Sequence, residues 1–280
     1  MEKVLVTGSG GYIGRHVVKH LLDMGYSVTA ADICNDGVDE RADIINRSVF
    51  EDCPDIYHEL GEPDVCIHLA WRNGFVHNAS SHMEDLSGHC RFLRQMVEGG
   101  LKNLAVMGTM HEIGYWEGAI DECTPCNPQS QYGVAKNALR QSLMQMAQEK
   151  KFNLYWLRAY YILGDDTKNH SVFTKILQKA QEGGKTFPFT SGKNLYDFID
   201  VEQLAEYIAL AATQQEVTGI INVCTGHPIS LAEKAEQFIK EKNLDIRLEY
   251  GAFPDRPYDS PGVWGNPEKM QKILKNRQGG

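Results

Sequence analysis

Short apolar runs alternate with stretches whose apolar residues recur every three or four positions, and this rhythm runs through the first half of the chain. Val4-Leu5-Val6 predicts a strand at 4–6. Ile13, Val17, Val18, Leu21 and Leu22 then share one face of a helix over 13–24. Residues 27–31 read as a second strand and 43–45 as a weak third. Residues 65–70 read as a fourth, whose nearly unbroken apolar character suits a strand covered on both faces. A helix over about 81–97, a strand over 103–107, a long helix over 132–148 and a strand over 154–157 continue the series. Strands alternating with helices predict an α/β fold with a Rossmann-like, doubly wound parallel sheet.

After Arg158 the rhythm changes. A helix over 172–181 is broken by Gly183-Gly184, a short strand at 196–200 leads into a helix to about 212, and 220–223 returns a strand to the main sheet. Ser230 caps a helix reaching about 241, and a tail rich in Pro and Gly ends in a short helix.

Composition narrows the classes. The chain has 280 residues, 42% hydrophobic and 23% charged, with a formal net charge of −9, which argues against a general nucleic-acid binder. No apolar run approaches the ~20 residues of a membrane span. The start runs straight into a strand without a signal-peptide pattern, so we expect a cytoplasmic protein with no membrane partner. The cysteines at 34, 53, 66, 90, 123, 126 and 224 follow no disulfide pattern and read as reduced thiols. Cys123 and Cys126 have CxxC spacing but no second pair or histidine cluster, so no metal is expected.

Two motifs carry the chemistry. Gly8, Gly11 and Gly14 follow the first strand and open the first helix, with Tyr12 and Ile13 between them. Glycines there make the tight turn, admit a pyrophosphate to the backbone and let the helix pack against the sheet, while the helix N-terminus attracts phosphate. Asp32 ends the second strand, where an acid can bond the ribose hydroxyls and repel a 2′-phosphate. That favours NAD(H); NADP(H) stays open because Arg15 lies just after the loop. We divide the chain into an NAD(P)-binding domain, residues 1–165 plus about 196–225, and a small C-terminal substrate lobe, about 166–195 plus 226–280.

Tyr132 and Lys136 stand four apart on a helix and share a face. A lysine ammonium and an oxidised nicotinamide beside the phenol would lower its pKa from the ordinary ~10, so that the tyrosine exchanges a proton with a substrate oxygen. Thr109, just past the fifth strand, can bond the same oxygen. His111 and Glu112 are secondary acid/base candidates, and His68 reads as a packed core histidine.

These residues resemble the extended short-chain dehydrogenase/reductase family, in its nucleotide-sugar (epimerase/dehydratase) branch, over nearly the whole chain. The family's glycine motif stands as Thr7 to Gly14, its acid as Asp32, its strand end as His68-Leu69-Ala70 and its catalytic set as Thr109, Tyr132 and Lys136. The stretches 128–133 and 196–201 also match. The resemblance implies cofactor contacts at Leu69 and Ala70, and a nucleotide-diphosphate contact at Arg256. We further expect substrate contacts among Asn169, His170, Lys193 and Tyr196.

Departures from the family pattern narrow the activity. Related 4,6-dehydratases carry Asp-Glu directly after the catalytic threonine, where this chain has Met110 and His111. Many 4-epimerases carry Asn where Tyr161 stands, and the substrate lobe here is trimmed. The likeness therefore points to the 4-ketoreductases of nucleotide-linked 4-keto-6-deoxyhexoses, of the dTDP-4-keto-6-deoxyglucose type, in deoxysugar and surface-polysaccharide biosynthesis. The alternatives are a UDP-sugar 4-epimerase with bound NAD and a non-catalytic dinucleotide-sensing protein. The resemblance also implies a homodimer pairing the helices near 81–97 and 132–148.

Overall fold

The structure, a computed structural model, describes residues 2–164, 171–255 and 259–278. β1 (Lys3–Thr7), β2 (Ser27–Asp32), β3 (Asp43–Asn46), β4 (Val65–His68) and β5 (Asn103–Thr109) join the strands Asn153–Ala159 and Gly219–Val223 in one seven-stranded sheet. Its order is Gly219–Val223, Asn153–Ala159, β5, β4, β1, β2, β3, and every neighbouring pair is parallel. This is the doubly wound Rossmann-like arrangement. The chain winds one way from β1 to β3 and the other way from β4 onward, which opens a crevice at the carboxyl ends of β1 and β4. β4 is buried at all four positions, as its apolar run demands.

Helices cover both faces. α1 (Gly14–Asp23) buries Val17, Val18 and Leu21 against one face, where Leu204, Ile208, Met270 and Ile273 also pack. On the other face Phe92, Leu93 and Met96 meet Leu139 and Leu143. Complete burial of each such side chain stabilises by ~1.5–3 kcal/mol before entropy is counted. Phe173, Ile176, Phe189, Phe198, Ile239 and Leu248 form a separate core outside the main sheet. The helix Glu268–Gln278 packs on the main sheet, through Met270 and Ile273, and not on that second core.

Two expected elements are divided. The helix expected over 81–97 is two helices, Ser81–Glu84 and Leu86–Gly99, parted at Asp85, whose carboxylate is held by Arg72. The strand expected at 196–200 is Leu195–Tyr196, paired with Ile229–Ser230 and Gly262–Gly265, then Phe198–Asp200, paired with Tyr161–Leu163. Between them Asp197 is fully buried and accepts from Thr225 N (3.0 Å), Thr225 Oγ1 (2.5 Å) and Gly226 N (2.9 Å). A buried carboxylate needs such donors, and satisfying them turns the chain from one sheet to the other. Ser230 caps the following helix as expected, accepting from Glu233 N at 3.1 Å.

Candidate active site

The glycine loop is closed on steric grounds. Gly8 takes φ +74°, and a Cβ there would lie 2.5 Å from Ala70 N. A Cβ on Gly14 would lie 2.1 Å from Gly8 O, so helix and loop could not pack as they do. Gly10, which the motif spacing passes over, would put a Cβ 1.9 Å from Cys34 O. Its N–H donates to Asp32 Oδ2 at 3.1 Å while Ile33 N donates to Oδ1 at 2.7 Å, so the loop itself aims the carboxylate. No side chain caps α1 and its first turn holds no acid, which leaves the helix N-terminus to an anion.

Two cavities continue from this loop and share Gly8, Gly11, Leu69 and Trp71. One, of about 450 Å³, is walled by Asp32, Arg47, Phe50 and Ala70. The other, of about 440 Å³, takes in Tyr12, Ile13, Gly14, Tyr132 and Lys136. Together they form one long crevice with an acid at one end and the Tyr–Lys pair at the other, and Gly8 and Gly11 line both halves where they meet. That shape fits a dinucleotide.

Tyr132 opens the helix Gln131–Glu149, whose N-cap Ser130 accepts from Gly133 N at 3.2 Å. Lys136 follows one turn later, 2% exposed, and its Nζ donates to Met107 O at 2.8 Å. Burial pulls the lysine from 10.5 down to about 7, opposed by the charge of Glu112. Desolvation pushes the half-buried Tyr132 phenol above its ordinary value, against the lowering effect of a hydrogen bond with Thr109. Burial outweighs the neighbours here, so the phenol keeps its proton through the neutral range, ready to donate it to a carbonyl oxygen.

Thr109 is 5% exposed at the end of β5 and caps a 3-10 turn, accepting from His111 N at 3.3 Å while bonding Tyr132. Glu112 is spent on structure. Fully buried, it accepts from Thr109 N (2.7 Å), Trp156 Nε1 (2.9 Å) and Arg158 Nη2 (3.4 Å). His111 lies with its ring centroid 6.1 Å from that of Tyr132, and burial draws its pKa down to about 4. His68 is buried between Thr7 Oγ1 (2.7 Å) and His89 Nδ1 (2.9 Å).

Among the other expected residues, Asn169, His170 and Arg256 lie outside the described residues. Lys193 is exposed, Tyr196 packs on Tyr161 with ring centroids 4.3 Å apart, and neither lines the crevice. The sequence reading missed Trp71, His77, His82 and His89, whose rings gather around Tyr132 and Lys136, and Phe75 and Val76, which line the second cavity while largely exposed. The run of histidines between 68 and 89 was the available signal. All seven cysteines are free, and no metal-holding group occurs among the described residues. No helix among them is long and apolar enough to cross a membrane.

Comparisons with known proteins agree with this geometry. The sequence model of the NAD dependent epimerase/dehydratase family matches residues 4–224. The dTDP-6-deoxy-L-talose 4-dehydrogenase (NAD(+)) of Aggregatibacter actinomycetemcomitans is 45% identical over 269 residues, covering 94% of this chain and 98% of that protein. UDP-arabinose 4-epimerase 1 of Arabidopsis thaliana is 26% identical, over 97% of this chain and 74% of its own length. Among solved structures, the UDP-glucose-4-epimerase of Stenotrophomonas maltophila with bound NAD and formylated UDP-arabinopyranose superposes with a TM-score of 0.86 at 19% identity, covering 98% of this chain and 93% of that one. The UDP-N-acetylglucosamine 4-epimerase of Methanobrevibacter ruminantium does so with a TM-score of 0.84 at 21% identity, covering 97% and 91%.

Proposed function

The chain belongs to the NAD dependent epimerase/dehydratase family, and from that footing we propose that it is an NAD-dependent oxidoreductase acting at C4 of a dTDP-linked 6-deoxyhexose, reducing the 4-keto sugar to the 4-hydroxy sugar. The observation that carries the reading is the convergence of Tyr132, Thr109 and Lys136 at one end of a crevice whose middle is the glycine loop. The relative that is 45% identical is named for the same chemistry in the oxidative direction.

Bound NADH supplies the hydride, and NAD⁺ accepts it in reverse. The chain's own residues do the rest. Gly8, Gly11 and Gly14, with the N-terminus of α1, receive the pyrophosphate. Asp32, aimed by the Gly10 and Ile33 amides, takes the adenosine ribose hydroxyls. Lys136, which lines the second cavity, would hold the nicotinamide ribose. Thr109 and Tyr132 both bond the sugar O4, and Tyr132, held protonated by desolvation, delivers its proton there as C4 is reduced. In our reading Asn169 contacts the sugar, Arg256 contacts the diphosphate, and two copies pair through the helices Leu86–Gly99 and Gln131–Glu149.

The test is to mix purified protein with dTDP-4-keto-6-deoxyhexoses of the D- and L-series and NADH or NADPH, and follow the nicotinamide absorbance. Faster consumption of NADH supports the reading, and oxidation of dTDP-6-deoxy-L-talose with NAD⁺ checks the reverse. No consumption, with NAD co-purifying and UDP-glucose epimerised without added cofactor, would replace it with the epimerase.

A further inference from the structure

We propose that Trp71 is a positioning residue for Lys136: its indole face holds the ammonium charged beside Tyr132 and turned toward the crevice. The inference rests on the reading of Lys136 as the partner of cofactor and phenol. Its geometric basis stands apart from that reading.

The lysine is buried, and among the described residues no carboxylate lies within ion-pair distance of it. An ammonium has three N–H donors and accepts nothing. Met107 O takes one, at 2.8 Å. The Trp71 ring centroid lies 3.9 Å from Nζ, well inside the ~6 Å reach of a cation–π contact. Trp71 lines both halves of the crevice and Lys136 lines the second, so the remaining donor has the crevice beside it.

The indole is itself pinned. Its Nε1–H donates to His82 Nδ1 at 3.0 Å. Because an indole N–H only donates, His82 Nδ1 must accept, and His82 Nε2–H then donates to Val76 O at 2.9 Å. His89 stacks on Trp71 with centroids 4.4 Å and planes 8° apart, and is backed by His68 and Thr7. A ring held at these points does not drift off the ammonium.

The groups facing Lys136 come from four elements: His68 on β4, His89 on Leu86–Gly99, Glu112 past β5, and Tyr132 on its own helix. Burial draws the His68 and His89 rings well below their ordinary values, so at neutral pH they bring no competing cation. Among the described residues Glu112 is the one anion whose charge acts on Lys136, and it is already bonded to Trp156 and Arg158. Against the desolvation that strips the charge from Lys136, the indole face joins Met107 O as a group in direct contact that favours keeping it.

A double-mutant cycle on the full chain tests this without turnover. Unfolding constants are measured for the parent, Trp71→Leu, Lys136→Met and the double variant, below pH 7 and again near the ordinary lysine value. We expect a Trp71–Lys136 coupling of roughly tenfold in the unfolding constant at the lower pH, absent at the higher, and largely kept by Trp71→Phe, which retains a π face but not the bond to His82. A coupling of equal size at both pH values, or equal loss in Phe and Leu, would mean that Trp71 merely packs, and would overturn the proposal. Should Trp71→Leu fail to fold, fluorinated tryptophan at position 71 weakens the ring's negative face at constant shape, and the coupling must fall with fluorination. In turnover, the apparent pKa for sugar oxidation should rise by about one pH unit in Trp71→Leu. An inactive parent chain would sink the proposed function and leave the cycle readable.

Discussion

Lys136→Met should stabilise the fold while abolishing turnover, and the gain should fade as pH rises. Methionine keeps the unbranched stem and much of the volume but carries no charge into the buried position. The lysine sits at about 7 in the fold against 10.5 outside it, which corresponds to roughly 5 kcal/mol spent on holding the ammonium below neutrality. Loss of the Nζ bond to Met107 O offsets part of this, leaving an expected gain of about 2–4 kcal/mol near neutral pH. The sign follows from proton binding. Between about 7 and 10.5 the unfolded chain binds the proton and the folded chain does not, so the parent grows more stable with pH by about 1.4 kcal/mol per pH unit. The penalty is therefore complete below about 7 and gone near 10.5. Urea unfolding of both proteins across that window, without added cofactor, reads the difference directly. A variant less stable than the parent, or an advantage that does not change with pH, would refute the account of Lys136 as a desolvated charge held in place for chemistry.

Tyr132→Phe should lose nearly all turnover while NADH binding, followed by nicotinamide fluorescence, changes less than about threefold, since only the proton donor is removed. Retained turnover would displace Tyr132 from its role. Asp32→Ala should weaken NAD(H) by roughly tenfold or more, the worth of hydrogen bonds to a carboxylate, and narrow the NADH over NADPH preference, as read by titration calorimetry with both cofactors. Glu112→Leu leaves the Arg158 guanidinium buried with its partner gone and should cost about 3–5 kcal/mol in denaturant unfolding; a cost under about 1 kcal/mol would remove Glu112 from the framework that holds Thr109.

The fold's outline and the ends of the crevice were legible in the sequence because each is a local pattern. Apolar periodicity marks which face of α1 or β4 is covered, glycine spacing marks a loop that a Cβ would block, and a separation of four on a helix places Tyr132 and Lys136 on one side. What only the tertiary structure decided depends on segments far apart in the chain. Asp197 divides an expected strand because its donors come from Thr225 and Gly226. Glu112, a candidate acid by its position, is committed to Trp156 and Arg158. Trp71, just past β4, meets Lys136 of the helix Gln131–Glu149, whose Nζ is bonded to Met107 O of β5, the strand beside β4. Protonation belongs to the same class. A motif can place a phenol beside a lysine, but whether the lysine lowers the phenol or desolvation raises it depends on how much low-dielectric protein surrounds both, and that is a property of the packed molecule.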